Sequence, residues 1–231
     1  MHEVLRQEKK YLLSLEQYRK LDNTFEKVLR ADEHNGTHGY LIRSLYFDTL
    51  QERDFYEKED GLEIRRKIRL RIYSPDSDFA MLEMKQKQGE YQKKRSLKVK
   101  REDAEELAKG RYSCLLSYEE AFAKECYGLL NLYCYRPKSI VEYRRKAYIA
   151  NENETRITFD TDIRATESDF RIFSPALNLN PVFDAYLAVL EVKYNGFLLS
   201  YIKQMVNLEG KSSTSVSKYS LSRSAGLHYL F

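Results

Sequence analysis

The sequence predicts an α+β fold in which mostly antiparallel strands carry helices on their outside. Three observations predict this class: segments rich in β-forming residues recur along the 231 residues, several of them alternate apolar with charged side chains, and segments with helical periodicity lie between them. No Pro-, Gly- or Ser-rich linker interrupts residues 1–210, and no repeat is present. We therefore expect a single domain over residues 1–231.

The N-terminal part is predicted to form a strand, a helix and a second strand. Residues 4–13 alternate weakly between polar and apolar side chains, which favours a strand. Ser14 and Gln17 have the spacing of a capping box, and the apolar residues after them keep a helical period. Residues 40–48 are rich in β-formers, so we expect a strand there.

The remaining elements follow from the same patterns. Three strands and two helices are predicted over residues 62–73, 79–87, 91–100, 101–110 and 117–132. Four strands are predicted over residues 138–149, 154–163, 169–173 and 185–194. A helix is expected over residues 197–208, and the Ser-rich residues 212–224 are expected to form a tail or a short helix.

The composition excludes several classes of protein. With 42% hydrophobic and 13% aromatic residues, the chain is neither disordered nor a Gly- or Pro-rich fibre. No apolar run reaches the roughly 18 residues of a membrane span, and no signal peptide is evident at the N-terminus. The three cysteines form an odd set without C-x-x-C spacing, which indicates reduced thiols. We therefore expect a soluble, cytoplasmic protein.

The positive charge is concentrated in one part of the chain. The whole chain carries +4, but residues 58–101 hold fourteen Lys and Arg against seven Asp and Glu. Such a local excess indicates an anionic partner. It leaves open whether that partner is a nucleic acid, a lipid headgroup or a small phosphate compound.

Alternation along one predicted strand places four cations on the same face. Arg65, Lys67, Arg69 and Arg71 share this face, and apolar residues such as Ile68 lie on the other. Cations at such spacing are roughly 7 Å apart, and each pair repels by about 2 kcal/mol at an effective dielectric near 20. A polyanion bound between these side chains explains why so many cations share one face, because each Arg guanidinium can donate two hydrogen bonds to the oxygens of a phosphate. An ordinary solvated sheet face is the alternative.

Five further predicted strands carry a charged stripe. Their charged members include Glu83, Lys85, Lys93, Arg95, Arg145, Arg156, Asp160, Asp162, Glu191 and Lys193. The carboxylates of Glu83 and Glu191 among these cations are compatible with plain salt bridges. They are equally compatible with a divalent metal, because Mg²⁺ or Mn²⁺ is typically held by one or two carboxylates and phosphate oxygens.

These residues resemble the catalytic domain of the vacuolar transporter chaperone (VTC) family of polyphosphate polymerases, within the triphosphate tunnel metalloenzyme superfamily. The similarity runs from about residue 3 to residue 226. The segments that carry it are Glu8–Tyr11, Ser44–Asp48, Lys67–Tyr73, Leu82–Lys85, Tyr143–Tyr148, Arg156–Asp162, Val189–Lys193 and Ser217–Tyr219.

The resemblance implies a closed antiparallel β-barrel of about eight strands, with helices packed outside and a tunnel that points basic residues at a triphosphate. It implies that the phosphates are held by Lys10, Arg69, Arg71, Lys85, Lys93, Arg145, Arg156 and Lys218. Tyr143, Ser217 and Lys193 are the further expected substrate contacts. Glu191, with Glu83, is the expected ligand of Mn²⁺ or Mg²⁺. A slip of one residue would move the Lys93 assignment to Lys94.

The activity that the resemblance implies is a polyphosphate polymerase, which transfers the γ-phosphoryl group of ATP to a growing inorganic polyphosphate chain. Hydrolytic relatives carry E-x-E-x-K on the first strand, whereas this chain keeps only Glu8 in that stretch. Fewer carboxylates favour transfer over hydrolysis. The SPX domain and membrane helices of the eukaryotic subunits are absent from this sequence, so a membrane-protein partner and the oligomeric state are left open.

Three alternatives remain at this stage. A tripolyphosphatase or nucleoside triphosphatase would use the same tunnel and release orthophosphate alone. A non-catalytic domain would bind triphosphate or polyphosphate without turnover. A single-stranded nucleic-acid binder is suggested by nineteen Tyr near basic residues. It is disfavoured because the cations form stripes over many strands, so we expect no nucleic-acid partner. His34 and His38 lie in a predicted loop and are not expected to bind metal.

Overall fold

The computed structural model describes residues 6–89, 91–206 and 216–228. In this part of the chain the strands are β1 (Arg6–Ser14), β2 (Arg30–Ala31), β3 (Tyr40–Asp48), β4 (Ile64–Ile72), β5 (Phe79–Gln88), β6 (Tyr91–Lys100), β7 (Arg136–Ala150), β8 (Thr155–Thr166), β9 (Asn180–Pro181) and β10 (Leu187–Asn195). The α-helices are α1 (Leu15–Val28), α2 (Arg53–Glu59), α3 (Arg101–Ala108), α4 (Ala121–Leu132), α5 (Ser200–Val206) and α6 (Lys218–His228). Short 3₁₀ helices cover Ser113–Ser117 and Glu152–Glu154.

The ten strands belong to one antiparallel sheet, which confirms the predicted fold class. Its order is β1-β10-β8-β7-β3-β4-β5-β6, with β2 paired to β7 and β9 paired to β8. Eight strands therefore form the main path, as expected. In the part of the chain that the structure describes, no ladder joins β1 to β6, so hydrogen bonds do not close the sheet.

The chain divides into two compact units, and three of the boundaries between them fall inside β3, β7 and β8. Unit 1 consists of residues 1–41, 143–163 and 183–217. Unit 2 consists of residues 42–142, 164–182 and 218–231. The expectation of a single domain stays a prediction.

In unit 1, α1 and α5 cover the apolar face of the sheet. Leu190 and Phe159 from the strands are buried against Phe25 of α1 and Ile202 of α5. The rings of Phe25 and Phe159 stack with centroids 5.6 Å apart. Because side chains alternate along a strand, the charged residues that alternate with these apolar ones occupy the opposite face; they are Glu8 and Lys10 of β1, Arg156 and Asp160 of β8, and Glu191 and Lys193 of β10.

The predicted capping box begins α1. The backbone N–H of Gln17 donates to Ser14 Oγ at 3.2 Å, and the Ser14 N–H donates to Gln17 Oε1 at 3.1 Å. Two N–H groups that the first helical turn would leave without partners are thereby satisfied. This cap fixes the turn from β1 into the helix that buries Phe25.

In unit 2, α3 and α4 cover the apolar face of β3 to β6. Ile68 and Leu82 from the strands are fully buried with Leu107 of α3 and Leu130 of α4. This packing confirms the alternation predicted for β4. Arg65, Lys67, Arg69 and Arg71 lie on the face away from these helices, whereas Arg66 shares the face of Ile68.

Helix α2 was not predicted from the sequence. Its N-terminus is fixed by the buried carboxylate of Asp48, which accepts backbone N–H bonds from Thr49 at 2.7 Å and from Asp54 and Phe55 at 2.9 Å. The Tyr219 hydroxyl donates to the same carboxylate at 2.7 Å. The group that caps α2 is therefore a residue of β3, and it is held in turn by a residue of α6. Such a distant cap leaves no signal in the sequence next to the helix.

The predicted strand over residues 169–173 is wrong. Asp169 accepts from the backbone N–H of Arg171 at 3.0 Å, so the segment turns. Its apolar residues Ile172 and Phe173 are nevertheless buried in the unit 2 core. The Arg43 guanidinium donates to the Ile172 carbonyl at 2.9 Å. This side chain therefore supplies the hydrogen bond that a neighbouring strand would supply in a sheet.

Several element boundaries differ from the prediction. The helix expected over residues 117–132 begins at Ala121, after the 3₁₀ helix, and the Ser-rich stretch contains α6 from Lys218 onward. Residues 207–215, which include parts of the last two predicted elements, lie outside the described residues. Among the described helices, none combines the length and apolar character that crossing a bilayer requires.

Candidate functional site

The charged face of unit 2 is centred on one buried carboxylate. Strand register pairs Arg69 with Glu83 on β5. Arg69 Nε lies 2.7 Å from Glu83 Oε2, and Arg71 Nε lies 3.8 Å from the same oxygen. Lys94 Nζ contacts the other carboxylate oxygen, Oε1. We call Glu83, Arg69, Arg71 and Lys94 the triple-cation cluster.

Electrostatics in the triple-cation cluster favour negative charge. Burial alone would raise the pKa of Glu83, but the charges of Arg69 and Arg71 and the bond from Lys94 lower it to about 2. One carboxylate therefore meets three cations and is ionised at neutral pH. The excess positive charge suits a phosphate group.

Tyr46 lies on β3 beside these cations. Its hydroxyl accepts a bond from Arg69 Nη1 at 3.1 Å, and its ring stacks on Tyr219 with centroids 5.1 Å apart. Burial raises the pKa of Tyr46, but the charges of Arg69, Arg71 and Lys218 outweigh it and lower that pKa. Sequence reasoning did not identify this contact, which the strand pairing of Tyr46 with Arg69 creates.

Two further predicted phosphate ligands belong to unit 2. Lys85 is exposed on β5, where the register places it between Lys67 of β4 and Lys94 of β6. Lys218 begins α6, immediately before Tyr219. Both predicted residues thus share a unit with the triple-cation cluster, and Lys85 shares its sheet face.

The register of β6 corrects the assignment of Lys93. Lys93 pairs with Gln86 of β5, whereas Lys94 pairs with Lys85. The face of Lys93 continues through Arg95, whose guanidinium binds Glu125 of α4 at 2.7 Å. Lys93 therefore lies on the side of the sheet that the helices cover, and Lys94 is the residue on the charged face.

The charged face of unit 1 contains two carboxylates that share two lysines. Lys10 Nζ lies 3.1 Å from Glu8 Oε1 and 3.6 Å from Glu191 Oε2. Lys193 Nζ lies 2.5 Å from Glu191 Oε1 and 3.9 Å from Glu8 Oε2. The Lys10 ammonium also donates to the Val216 carbonyl at 3.2 Å, next to Ser217. We call Glu8, Lys10, Glu191 and Lys193 the paired-carboxylate cluster.

The paired-carboxylate cluster provides oxygen ligands for a divalent cation. Burial alone would lower the pKa of Lys10, but Glu191 and Glu8 raise it. Two neighbouring glutamates match the one or two carboxylates with which proteins hold Mg²⁺, where phosphate oxygens and water complete the shell. In the described ranges, no group of three or more His, Cys, Asp or Glu forms a complete protein cage.

Arg145 is held by a buried acid in unit 1. Its Nε and Nη2 donate to the two oxygens of Asp160 at 2.6 and 2.8 Å, and its guanidinium carbon lies 5.4 Å from the Tyr143 ring centroid. Burial opposes its charge, yet Asp160 raises the pKa of Arg145 well above its ordinary value. The bidentate pair fixes the plane of the Arg145 guanidinium.

Arg156 is held by a loop that precedes β3. Its Nη2 donates to Asp32 Oδ2 at 2.9 Å and to the Tyr40 hydroxyl at 3.1 Å. Asp32 is distant from Arg156 in the sequence, so spacing gave no signal for it. Tyr46 and Asp32, the two contacts that sequence reasoning missed, are each a partner of an arginine predicted to bind phosphate.

The predicted site residues are divided between the two units. Unit 1 contains Lys10, Tyr143, Arg145, Arg156, Glu191, Lys193 and Ser217, and unit 2 contains Arg69, Arg71, Glu83, Lys85, Lys93 and Lys218. Of those in unit 2, Lys93 lies on the face of its strand opposite to Lys94.

Comparison with solved structures shows the fold. A candidate adenylate cyclase from Bacillus halodurans aligns with a TM-score of 0.53 at 12% identity, covering 92% of this chain and 95% of that chain. A candidate adenylyl cyclase from Hippeastrum, described as having a dominant triphosphatase activity, aligns with a TM-score of 0.55 at 12% identity, covering 94% and 95%. At this identity the similarity establishes a shared fold and nothing about substrates.

Comparison of the sequence with protein families agrees with the motifs. No curated protein matches the sequence. The family model of the VTC domain matches residues 5–226, which is nearly the whole chain. The chain therefore belongs to the VTC domain family.

Proposed function

We propose that this protein is a metal-dependent polyphosphate polymerase, which transfers the γ-phosphoryl group of ATP to a growing inorganic polyphosphate chain. The observation that carries the proposal is the triple-cation cluster, in which three cations meet the single carboxylate of Glu83. Membership of the VTC domain family supports polyphosphate as the substrate class.

The arginines supply what phosphoryl transfer requires from a protein. The reaction depends on alignment of the phosphates and on neutralisation of charge, more than on covalent chemistry. Arg69 and Arg145 are each held by a carboxylate, so their donors are oriented before a ligand binds. The attacking oxygen belongs to an acceptor phosphate that is already ionised, and for this reason the reaction needs no general base.

A divalent cation fits the paired-carboxylate cluster. We propose that Glu191 and Glu8 hold Mn²⁺ or Mg²⁺ together with phosphate oxygens, because their carboxylates share two lysines and so lie close together. When bound, such an ion acts as a Lewis acid that offsets charge on the phosphates. Glu83, the other expected ligand, is surrounded by three cations, so we assign it to holding Arg69 and Lys94.

A triphosphatase is the second candidate function. The Hippeastrum protein with the same fold is described as having a dominant triphosphatase activity. The paired carboxylates of Glu8 and Glu191 favour this candidate, because a metal held there also suits attack by water. A non-catalytic polyphosphate-binding domain is the remaining alternative.

We infer a cytoplasmic location from the three free cysteines, because disulfides are rare in the reducing cytosol.

The products distinguish these functions. Purified protein is incubated with ATP and Mn²⁺ or Mg²⁺, with and without a short polyphosphate primer, and both long-chain polyphosphate and orthophosphate are measured. We expect long chains and ADP from the wild-type protein, and loss of both in Arg69→Ala and Glu191→Ala. Lys93→Ala is the matched control, because Lys93 lies on the other face of the sheet.

Each outcome selects one function. Orthophosphate without polymer in either priming condition would replace the polymerase with the triphosphatase. Tight binding of tripolyphosphate without any turnover would leave a polyphosphate-binding domain. Equal activity of Arg69→Ala and wild type would contradict a role of the triple-cation cluster.

A further inference from the structure

The loop over residues 32–39 connects β2 to β3 and is fastened to β7. Asn35 Nδ2 donates to the Ala147 carbonyl at 2.7 Å, and the Ala147 N–H donates to Asn35 Oδ1 at 2.9 Å. The N–H of Asp32 donates to the same carbonyl at 2.9 Å. The amide of Asn35 thus pairs with β7 as a neighbouring strand would, and it holds the loop in one place.

Close packing fixes the other end of this loop. Gly39 has φ +74°, a conformation that L side chains rarely adopt, and a Cβ built there would lie 2.4 Å from the Arg145 carbonyl oxygen. Only glycine allows the loop backbone to approach the backbone of Arg145 so closely. The loop therefore lies against a strand that carries one of the proposed phosphate ligands.

The same loop holds a second proposed phosphate ligand. Asp32, the first residue of the loop, and Tyr40, the residue of β3 that follows it, both contact Nη2 of Arg156 at 2.9 and 3.1 Å. These two contacts use a single guanidinium nitrogen and do not involve Nε or Nη1. The guanidinium is thus anchored on one side, while the Arg156 side chain keeps 37% of its surface exposed.

Asp32 is itself held in place. Its Oδ1 accepts a bond from the backbone N–H of His34 at 3.1 Å and lies 3.0 Å from His34 Nδ1. Burial alone would raise the pKa of Asp32, but these bonds and the charge of Arg156 lower it. An ionised carboxylate with only 11% of its side chain exposed, bonded on both oxygens, is a rigid anchor.

We propose that Asp32 is a positioning residue, which acts through the loop of residues 32–39 to orient the Arg156 guanidinium towards a phosphate of the substrate. The inference rests on the proposed function and deepens it, because it names the group that sets one phosphate ligand. It also opposes a simple alternative, in which Asp32 competes with phosphate for Arg156. Competition and positioning predict opposite effects when the carboxylate is removed.

A double-mutant cycle in the full chain tests this proposal. Tripolyphosphate binding is measured by calorimetry for wild type, Asp32→Asn, Arg156→Ala and the double variant. We expect Asp32→Asn to weaken binding about 5- to 10-fold in the wild-type background and to have no effect when Arg156 is already alanine. Glu33→Gln is the matched control. It removes one negative charge, as Asp32→Asn does, but at the next residue, whose side chain is 89% exposed.

Two binding outcomes overturn the proposal. Tighter binding by Asp32→Asn shows competition, and an equal loss in both backgrounds shows a structural role that does not pass through Arg156. The order of the guanidinium is read separately from the ¹H–¹⁵N signal of Arg156 Nε–H by NMR. We expect a sharp, resolved signal in wild type and Glu33→Gln that broadens in Asp32→Asn.

The NMR readout also separates this proposal from the proposed function. If wild type binds no tripolyphosphate, the proposed function fails, and the Arg156 signal alone decides whether Asp32 orients the guanidinium. An unchanged signal in Asp32→Asn overturns the positioning role whatever the binding result.

Discussion

The charged faces of the two units differ in the balance of their charges. In the triple-cation cluster of unit 2, Glu83 alone meets three cations. The described clusters of unit 1 instead give every cation a carboxylate: Lys10, Lys193, Arg145 and Arg156 are matched by Glu8, Glu191, Asp160 and Asp32. An excess of cations attracts a polyanion by itself, whereas a balanced face with two adjacent glutamates can accept a divalent cation. Phosphate affinity and metal dependence should therefore be separable by mutation.

The two faces also differ in how their arginines are held. In unit 2, Arg69 and Arg71 are held by neighbouring strands, through Glu83, Tyr46 and Ser44. In unit 1, Arg156 depends on the ends of a loop. A strand pair fixes its side chains by register, while a loop requires bonds and close packing of its own. Substitutions in the loop should therefore affect unit 1 alone.

The largest effect should come from Glu191→Gln. We expect turnover of ATP to fall about 100-fold or more, because the proposed metal loses a carboxylate ligand. Binding of tripolyphosphate without metal should be retained, since the substitution removes a negative charge. Initial rates over a Mn²⁺ titration and calorimetry in a chelator measure the two quantities. Glu26→Gln, at an exposed position of α1, is the control. An equal loss of metal-free binding would contradict the division between the two faces.

Glu83→Gln should destabilise the protein by about 3 kcal/mol at pH 7, because it leaves the buried Arg71 and the largely buried Arg69 without their counter-charge. The pKa of Glu83 is lowered from 4.5 to about 2 in the folded protein. Its stabilisation is therefore present above about pH 4.5 and is lost as the pH falls towards 2.

Urea unfolding of both proteins across this pH range measures the difference. The difference in the free energy of unfolding between wild type and Glu83→Gln should become smaller below pH 4.5. Tripolyphosphate should restore more stability to the variant than to wild type, since it replaces the missing negative charge. A gap that is independent of pH would argue against an ionised Glu83 at the centre of the triple-cation cluster.

Gly39→Ala should destabilise the protein by about 1–3 kcal/mol, because its Cβ meets the Arg145 carbonyl and its φ is positive. Gly61→Ala is the matched control, since Gly61 has φ +72° but no atom within 4 Å of a built Cβ. Thermal unfolding of both variants measures their loss of stability. The amount by which Gly39→Ala loses more than Gly61→Ala is the cost of the contact with the Arg145 carbonyl. Equal losses would show that the loop does not depend on its approach to β7.

The smallest effect should distinguish two adjacent lysines. We expect Lys94→Ala to weaken metal-free tripolyphosphate binding about 5-fold, as the loss of one exposed charge-assisted contact would. Lys93→Ala should leave binding unchanged, because the register of β6 turns Lys93 to the other face. Calorimetry of both variants decides the question. The reverse order of effects would place the phosphate on the other side of the sheet.

The sequence by itself determined the eight long strands of the sheet and the face on which most charges lie, but not the two-residue strands β2 and β9. Alternation along β4 separated Arg69 from Ile68 because strand geometry fixes opposite directions for neighbouring residues. The motifs further indicated the VTC family, which the family comparison confirmed. These features are local, so they can be seen within a few consecutive residues.

Only the tertiary structure decided which groups meet. Lys94, and not Lys93, lies on the charged face, because the register between β5 and β6 depends on pairing, which a run of three bases does not specify. Helix α2 depends on Asp48 of the preceding strand and on Tyr219 of α6, and Arg156 is held by Asp32 from a distant loop. Contacts between residues far apart in the chain leave no periodicity in the sequence. For that reason the cations could be predicted from the sequence. Asp32, which holds Arg156, and Asp48, which caps α2, could be identified only in the folded chain.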